Sequence, residues 1–147
     1  MRGASRTPQV PSNLNQSPPV KRVETPDAPK PAGHYSQGIA HAGLVFVAGQ
    51  LPIDPHDPAP RTQTIEEQTE RTLRNVEAVL LAAGSGLDLL LQVTVYITDV
   101  ELWPRVNTVY ARVLGDHKPA RAVVPVKPLR HGADIEIQAI ATIRDQR

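Results

Sequence analysis

Apolar positions along the chain recur with two periods, and the period changes at punctuation residues. From 91 to 98, Leu91, Val93, Val95 and Ile97 alternate with Gln92, Thr94, Tyr96 and Thr98. A period of two puts alternate side chains on opposite faces of a β-strand. Residues 134–143 repeat the pattern. Ile135, Ile137, Ala139, Ala141 and Ile143 share one face, and Asp134, Glu136, Gln138 and Thr142 take the other together with Ile140. Between them and upstream the period lengthens. Leu73, Val76, Leu80 and Ala83 recur at steps of three and four, which is one stripe of an amphipathic helix. Thr64 and Glu67 supply a capping box for its start, and Gly84 a stop. A second stripe, Leu102, Val106, Val109 or Tyr110, and Val113, follows Asp99 as a cap and ends at Gly115. Pro104 is compatible with that helix only in or near its first turn.

Shorter runs complete the list of elements. IAHAGLVFVAGQLP predicts a hairpin with Ala42-Gly43 at the turn and an apolar strand over 44–48. Residues 21–24 predict a short edge strand, and 121–126 a further strand. The resulting order is strand, strand, strand, helix, strand, helix, strand, strand. It predicts an α+β fold in which two helices cover one face of a mixed six-stranded sheet. The other face carries Gln92, Thr94, Tyr96, Glu136 and Gln138. It is too polar for a core, so it meets solvent, a water-lined interior or a partner subunit.

Composition narrows the class. The 147 residues suit one domain, expected over 21–147. Residues 1–20 are rich in Pro, Ser, Asn and Gln, bury too little apolar surface to offset ordering entropy, and are expected to form a flexible tail. Residues 52–63, with four prolines and two aspartates, read as a surface loop. A net charge of +1 and 3% aromatic residues give no footprint for nucleic acid. The chain has no cysteine, which excludes disulfides, thiolate metal sites and cysteine nucleophiles. MRGASRTPQV lacks the apolar core of a signal peptide, and no apolar run reaches the roughly 18 residues of a membrane span. The expectation is a cytoplasmic protein with no membrane partner.

Candidate chemistry is sparse. His34, His41, His56, His117 and His131 show no metal-ligand spacing, and no phosphate-binding glycine loop or nucleophile elbow is present. The strongest pair is Arg121, at the mouth of one late strand, and Glu136 on the last. An arginine fork grips a carboxylate through two parallel hydrogen bonds. A partly enclosed glutamate, raised from its usual pKa of about 4.3, can orient or deprotonate a water. The same two residues also fit a structural ion pair. Tyr35 fits a pocket wall or packing, Asn107 a solvated helical step, and Trp103 packing or an interface.

Six segments in order resemble one family: GHYSQGI (33–39), LVFVAGQLPIDP (44–55), QTERTLRNVEAVLLAAG (68–84), VTVYITDVELWPRVNTVY (93–110), PARAVV (119–124) and IEIQAIA (135–141). They are similar to the RidA family of reactive-intermediate imine deaminases, also called YjgF or L-PSP. The resemblance implies a chorismate-mutase-like α+β domain in a homotrimer, with helices outside, sheets around a central barrel, and active sites in clefts between subunits. It implies hydrolysis of small 2-imino acids and their enamines, such as 2-iminopropanoate and 2-iminobutanoate, to 2-oxo acids and ammonia, without cofactor or metal. On the matching motifs, Arg121 would hold the substrate carboxylate and Glu136 would position the attacking water. Gly49 and Val123 would line the site with backbone groups, Tyr35 would form a wall, and Asn107 would support it.

The sequence departs from the family's pattern at several points. Ala48 stands where many members have serine, Val123 where some have cysteine, Lys118 where an aromatic is common, and Gln138 where a second acid is frequent. KPLRHGAD (127–134) also differs. These departures leave open a larger enamine of the aminomuconate type, and a non-catalytic module that binds small carboxylates.

Overall fold

The computed structural model describes residue 8 and residues 16–57 and 63–145. The expectation of a flexible tail falls largely on residues 1–7 and 9–15, and part of the proline-rich loop on 58–62; both lie outside the described residues.

Among the described residues six strands form one mixed sheet: β1 (Lys21–Val23), β2 (Gly38–His41), β3 (Leu44–Gln50), β4 (Leu90–Ile97), β5 (Ala120–Pro125) and β6 (Ile135–Thr142). Their order across the sheet is β1-β2-β3-β6-β4-β5. β4 and β5 run parallel and every other pair is antiparallel. The β2–β3 turn is the anticipated pair Ala42-Gly43, both at positive φ (50° and 79°). That is the turn whose twist matches the flanking strands.

Helices α1 (Ile65–Ala82) and α2 (Trp103–Leu114) cover one face. The Thr64 hydroxyl accepts from the Glu67 N–H, and the Glu67 carboxylate accepts from the Thr64 N–H. At the other end Gly84 takes φ 78°, the Gly84 N–H donates to the Leu81 carbonyl, and the Ser85 N–H donates to that of Leu80. This pair of bonds closes the last turn around a left-handed residue. Asp99 caps a 3-10 turn over Val100–Leu102 rather than the helix itself. α2 then starts at Trp103 with Pro104 in its first turn, where a missing N–H costs no helical bond.

The core lies between helices and sheet. Val76 and Leu80 of α1 and Val106 of α2 meet Val95, Ile97 and Ile137 of the sheet, all fully buried. One strand departs from its pattern. Leu90, not Leu91, takes the core position, and Leu91 is exposed. The β4–β6 register slips between Leu90 and Gln92, so Leu91 is the extra residue of a bulge, whose side chain leaves the alternation. A second slip lies between Val47 and Gln50 of β3, three steps that face only the two from Ala139 to Ile137 on β6.

Candidate functional site

Arg121 lies near the start of β5, paired with Val93 of β4. Val93 is a core residue, so Arg121 is on the helix-bearing face, at the outer edge of the sheet. Its guanidinium stacks on two rings of α2, with Cζ 4.5 Å from the Trp103 centroid and 4.8 Å from that of Tyr110. Nη1 donates to Oδ1 of Asn107 at 3.0 Å. Trp103, Asn107 and Tyr110 stand at i, i+4 and i+7, a spacing that aligns them on one helix stripe. Among the described residues no carboxylate pairs with Arg121. Its charge is held by a neutral amide and two π-faces, and the cation stays available to an acid. Tyr110 is 6% exposed, and among the described residues its hydroxyl meets no hydrogen-bond partner. Burial pushes this phenol's pKa up, with the Arg121 charge acting the other way. Val123, two residues along β5, is half-buried on the same face.

Glu136 occupies the opposite side. It pairs with Tyr96 of β4, whose neighbours Val95 and Ile97 point into the core, so both Tyr96 and Glu136 face the helix-free side. The carboxylate lies over Gly49 in the β3 bulge, close enough that a Cβ there would overlap it. Burial alone pushes its pKa above the usual carboxylate value. Ala48 donates its N–H to the Gln37 carbonyl at 2.9 Å, which ties the loop carrying Tyr35 to the residue before Gly49. Tyr35 is 53% exposed. Its hydroxyl accepts from the Ala32 N–H at 3.3 Å, and it lines an open cavity of about 820 Å³ with Arg22, Lys30 and His34.

The candidate residues therefore form two groups. Glu136 and Gly49 form one, and Arg121, Asn107 and Val123 the other; the Tyr35 loop is tied to the first through the Ala48–Gln37 bond, but the cavity that Tyr35 lines includes neither Glu136 nor Gly49. Within one chain the groups do not meet. β5 and β6 flank β4 rather than each other, and the partners of Arg121 and Glu136 on β4 are three residues apart. At a strand spacing of about 4.8 Å and a rise of about 3.3 Å, their Cα atoms are about 14 Å apart, with side chains on opposite faces. The alternative of an ion pair between them is excluded in this chain by the same geometry. In the sequence Trp103 reads as packing or an interface and Tyr110 as part of the apolar stripe of the helix, so neither is named there beside Arg121. The signal was the polar Asn107 set inside that stripe.

Among the described residues no group of three or more His, Asp or Glu gathers where a metal would bind, and no helix is long and apolar enough to cross a membrane.

Comparison with known proteins decides the family. Residues 25–143 match the family model described as Endoribonuclease L-PSP. The chain belongs to this family, also called RidA or YjgF. A RutC family protein of Pyrococcus horikoshii is 44% identical over 119 residues, covering 81% of this chain and 94% of the relative. YyfA of Yersinia pestis, of the Rid protein family, superposes with a TM-score of 0.82 at 37% identity, over 85% of this chain and all of its own. E. coli TdcF, solved with bound serine, gives 0.80 at 33% identity, over 84% and 99%. The six-stranded sheet with two helices on one face is the L-PSP family fold.

Proposed function

We propose that this L-PSP family member hydrolyses small 2-imino acids and their enamines to 2-oxo acids and ammonia, at a site assembled from two copies of the chain. Arg121 of one subunit grips the substrate carboxylate. Glu136 of the partner subunit, beside Gly49, holds a water against the C=N carbon. With the imine protonated at nitrogen, the Glu136 carboxylate takes a proton as the water oxygen bonds to that carbon and the C=N π pair moves to nitrogen, giving a neutral carbinolamine. It returns that proton to nitrogen as the C–N bond breaks, and the hydroxyl proton passes to the departing ammonia, leaving the 2-oxo acid and ammonium. Val123 and Gly49 contribute backbone groups and Tyr35 a wall. The uncatalysed reaction is already feasible in water, so orientation and charge pairing supply enough barrier reduction without a covalent nucleophile.

The observation that carries this reading is the uncompensated guanidinium of Arg121, fixed on α2 by Asn107 and two rings. A bound amino acid in TdcF supports a small carboxylate as ligand. The net charge of +1 favours a small acid over RNA, whose binding draws on many phosphate contacts. The test generates 2-iminobutanoate in situ from threonine with a dehydratase and follows ammonia release with and without this protein. The wild type is expected to accelerate release. Arg121→Ala is expected to abolish the acceleration, and Arg121→Lys to restore little of it, because a point charge cannot reproduce the fork. Unchanged turnover by Arg121→Ala removes the clamp from the mechanism. Binding of 2-oxobutanoate without any acceleration replaces the enzyme by a carboxylate-binding module.

A further inference from the structure

We infer that α2 works as a positioning device for Arg121, and that Asn107 is an amide there because a carboxylate at 107 would close the site from within. The inference rests on the proposed carboxylate-binding role of Arg121 and adds to it the residues that set the fork. Asn107 accepts from Nη1 at 3.0 Å, while Trp103 and Tyr110 lie against the guanidinium 4.5 and 4.8 Å from Cζ. All three come from one stripe of a helix whose inner positions, Val106, Val109 and Tyr110, are buried. A long side chain on an edge strand otherwise samples many rotamers, and holding it in one lowers the entropy lost when a ligand binds.

The neutral acceptor is the informative choice. An amide oxygen orients the fork and leaves its full charge for the ligand. An aspartate of the same shape would form an ion pair with Arg121, occupy one N–H of the fork and cancel the charge that attracts the substrate. Elsewhere on these helices the chain does pair arginine with acid: Arg105 binds Glu66 through two bonds of 2.6 and 2.8 Å, and Arg112 binds Glu70 at 2.5 Å. Among the described residues Arg121 is held differently, by an amide and rings, which marks it as a cation kept for an outside acid.

The isosteric change Asn107→Asp tests this, because it moves stability and affinity in opposite directions. The full-length variants are compared by thermal unfolding and by calorimetric titration with 2-oxobutanoate, the stable product analogue. Trp103, the chain's single tryptophan, adds a fluorescence signal at the same guanidinium. Asn107→Asp is expected to keep or raise Tm and to weaken 2-oxobutanoate binding about tenfold or more, as the internal carboxylate competes for the fork. Asn107→Ala is expected to lower Tm slightly and weaken binding less. Damage to packing alone would lower Tm and affinity together, and that result for Asn107→Asp overturns the proposal, as does wild-type affinity in Asn107→Asp. If the wild type binds no 2-oxo acid, the deaminase reading fails. The positioning role then stands or falls on the Tm order, Asn107→Asp at or above wild type and Asn107→Ala below.

Discussion

Gly49 is glycine for reasons of space. Its φ is not positive, so an alanine fits the backbone; what it displaces is the Glu136 carboxylate. The group displaced is the end of a flexible side chain and can swing away at small cost. Gly49→Ala is therefore expected to change stability by less than about 1 kcal/mol and to lower turnover of 2-iminobutanoate by about tenfold or more, through misplacement of the water. Turnover at the wild-type level would separate Glu136 from the chemistry. Glu136 itself offers a pH test. Burial raises its folded pKa above the ordinary 4.5. The stability this shift contributes is fully present below the unfolded pKa and is lost as pH rises through the folded value, where a desolvated charge must be tolerated. Glu136→Gln is expected to unfold at a higher temperature than wild type at pH 7 and at the same temperature near pH 4. The gain in stability should accompany loss of turnover, as is usual where a strained charge serves catalysis.

Among the elements, α1 was legible because its signals are local. The capping box at Thr64 and Glu67, the apolar stripe and the stop at Gly84 all occur where the sequence places them, and Thr64→Ala is expected to cost about 1 kcal/mol in urea unfolding. Its buried polar side chains were not legible, since their partners are distant in sequence. Asn75 donates from Nδ2 to the Leu51 and Ile53 carbonyls at 2.9 and 2.8 Å, fixing the chain just beyond Gly49. Asn75→Ala takes the side-chain donor from the Ile53 carbonyl, while the Leu51 carbonyl keeps the Ile53 N–H at 2.8 Å, and a loss of about 1–3 kcal/mol is expected, with reduced turnover as the bulge loosens. β4 shows what a period of two cannot encode. The alternation put Leu91 in the core, but a bulge shifts that place to Leu90, and a slip depends on the partner strand. The two halves of the site behaved likewise. Arg121 and Glu136 were recognisable as chemistry, but their faces follow from register against β4, a non-local fact. Trp103, Asn107 and Tyr110 were read separately, as packing, a solvated step and part of the inner stripe, because what joins them is a guanidinium from another element.

At the scale of the whole molecule, the helix-free face and the two half-sites pose one question. That face exposes Gln92, Gln138 and Phe46, the last at 41%, and the halves that would clamp and hydrolyse a substrate are on opposite sides of one sheet. A single chain in this conformation cannot bring them together, since neither side chain passes through the sheet. A second copy can, if the β5 edge of one subunit approaches the β3–β6 bulge of another. The arrangement makes a sharp prediction for mixtures. Arg121→Ala and Glu136→Ala each lack one half, and each alone is expected to be inactive. When the two are unfolded together at equal amounts and refolded, subunits assort at random in a closed ring, and a site is intact only where a subunit with Arg121 meets one with Glu136. That combination arises in about one quarter of the sites, so about a quarter of wild-type turnover should return. Mixing without refolding should recover activity only as fast as subunits exchange. A site contained in one chain would recover nothing under either protocol, because no chain in the mixture carries both residues.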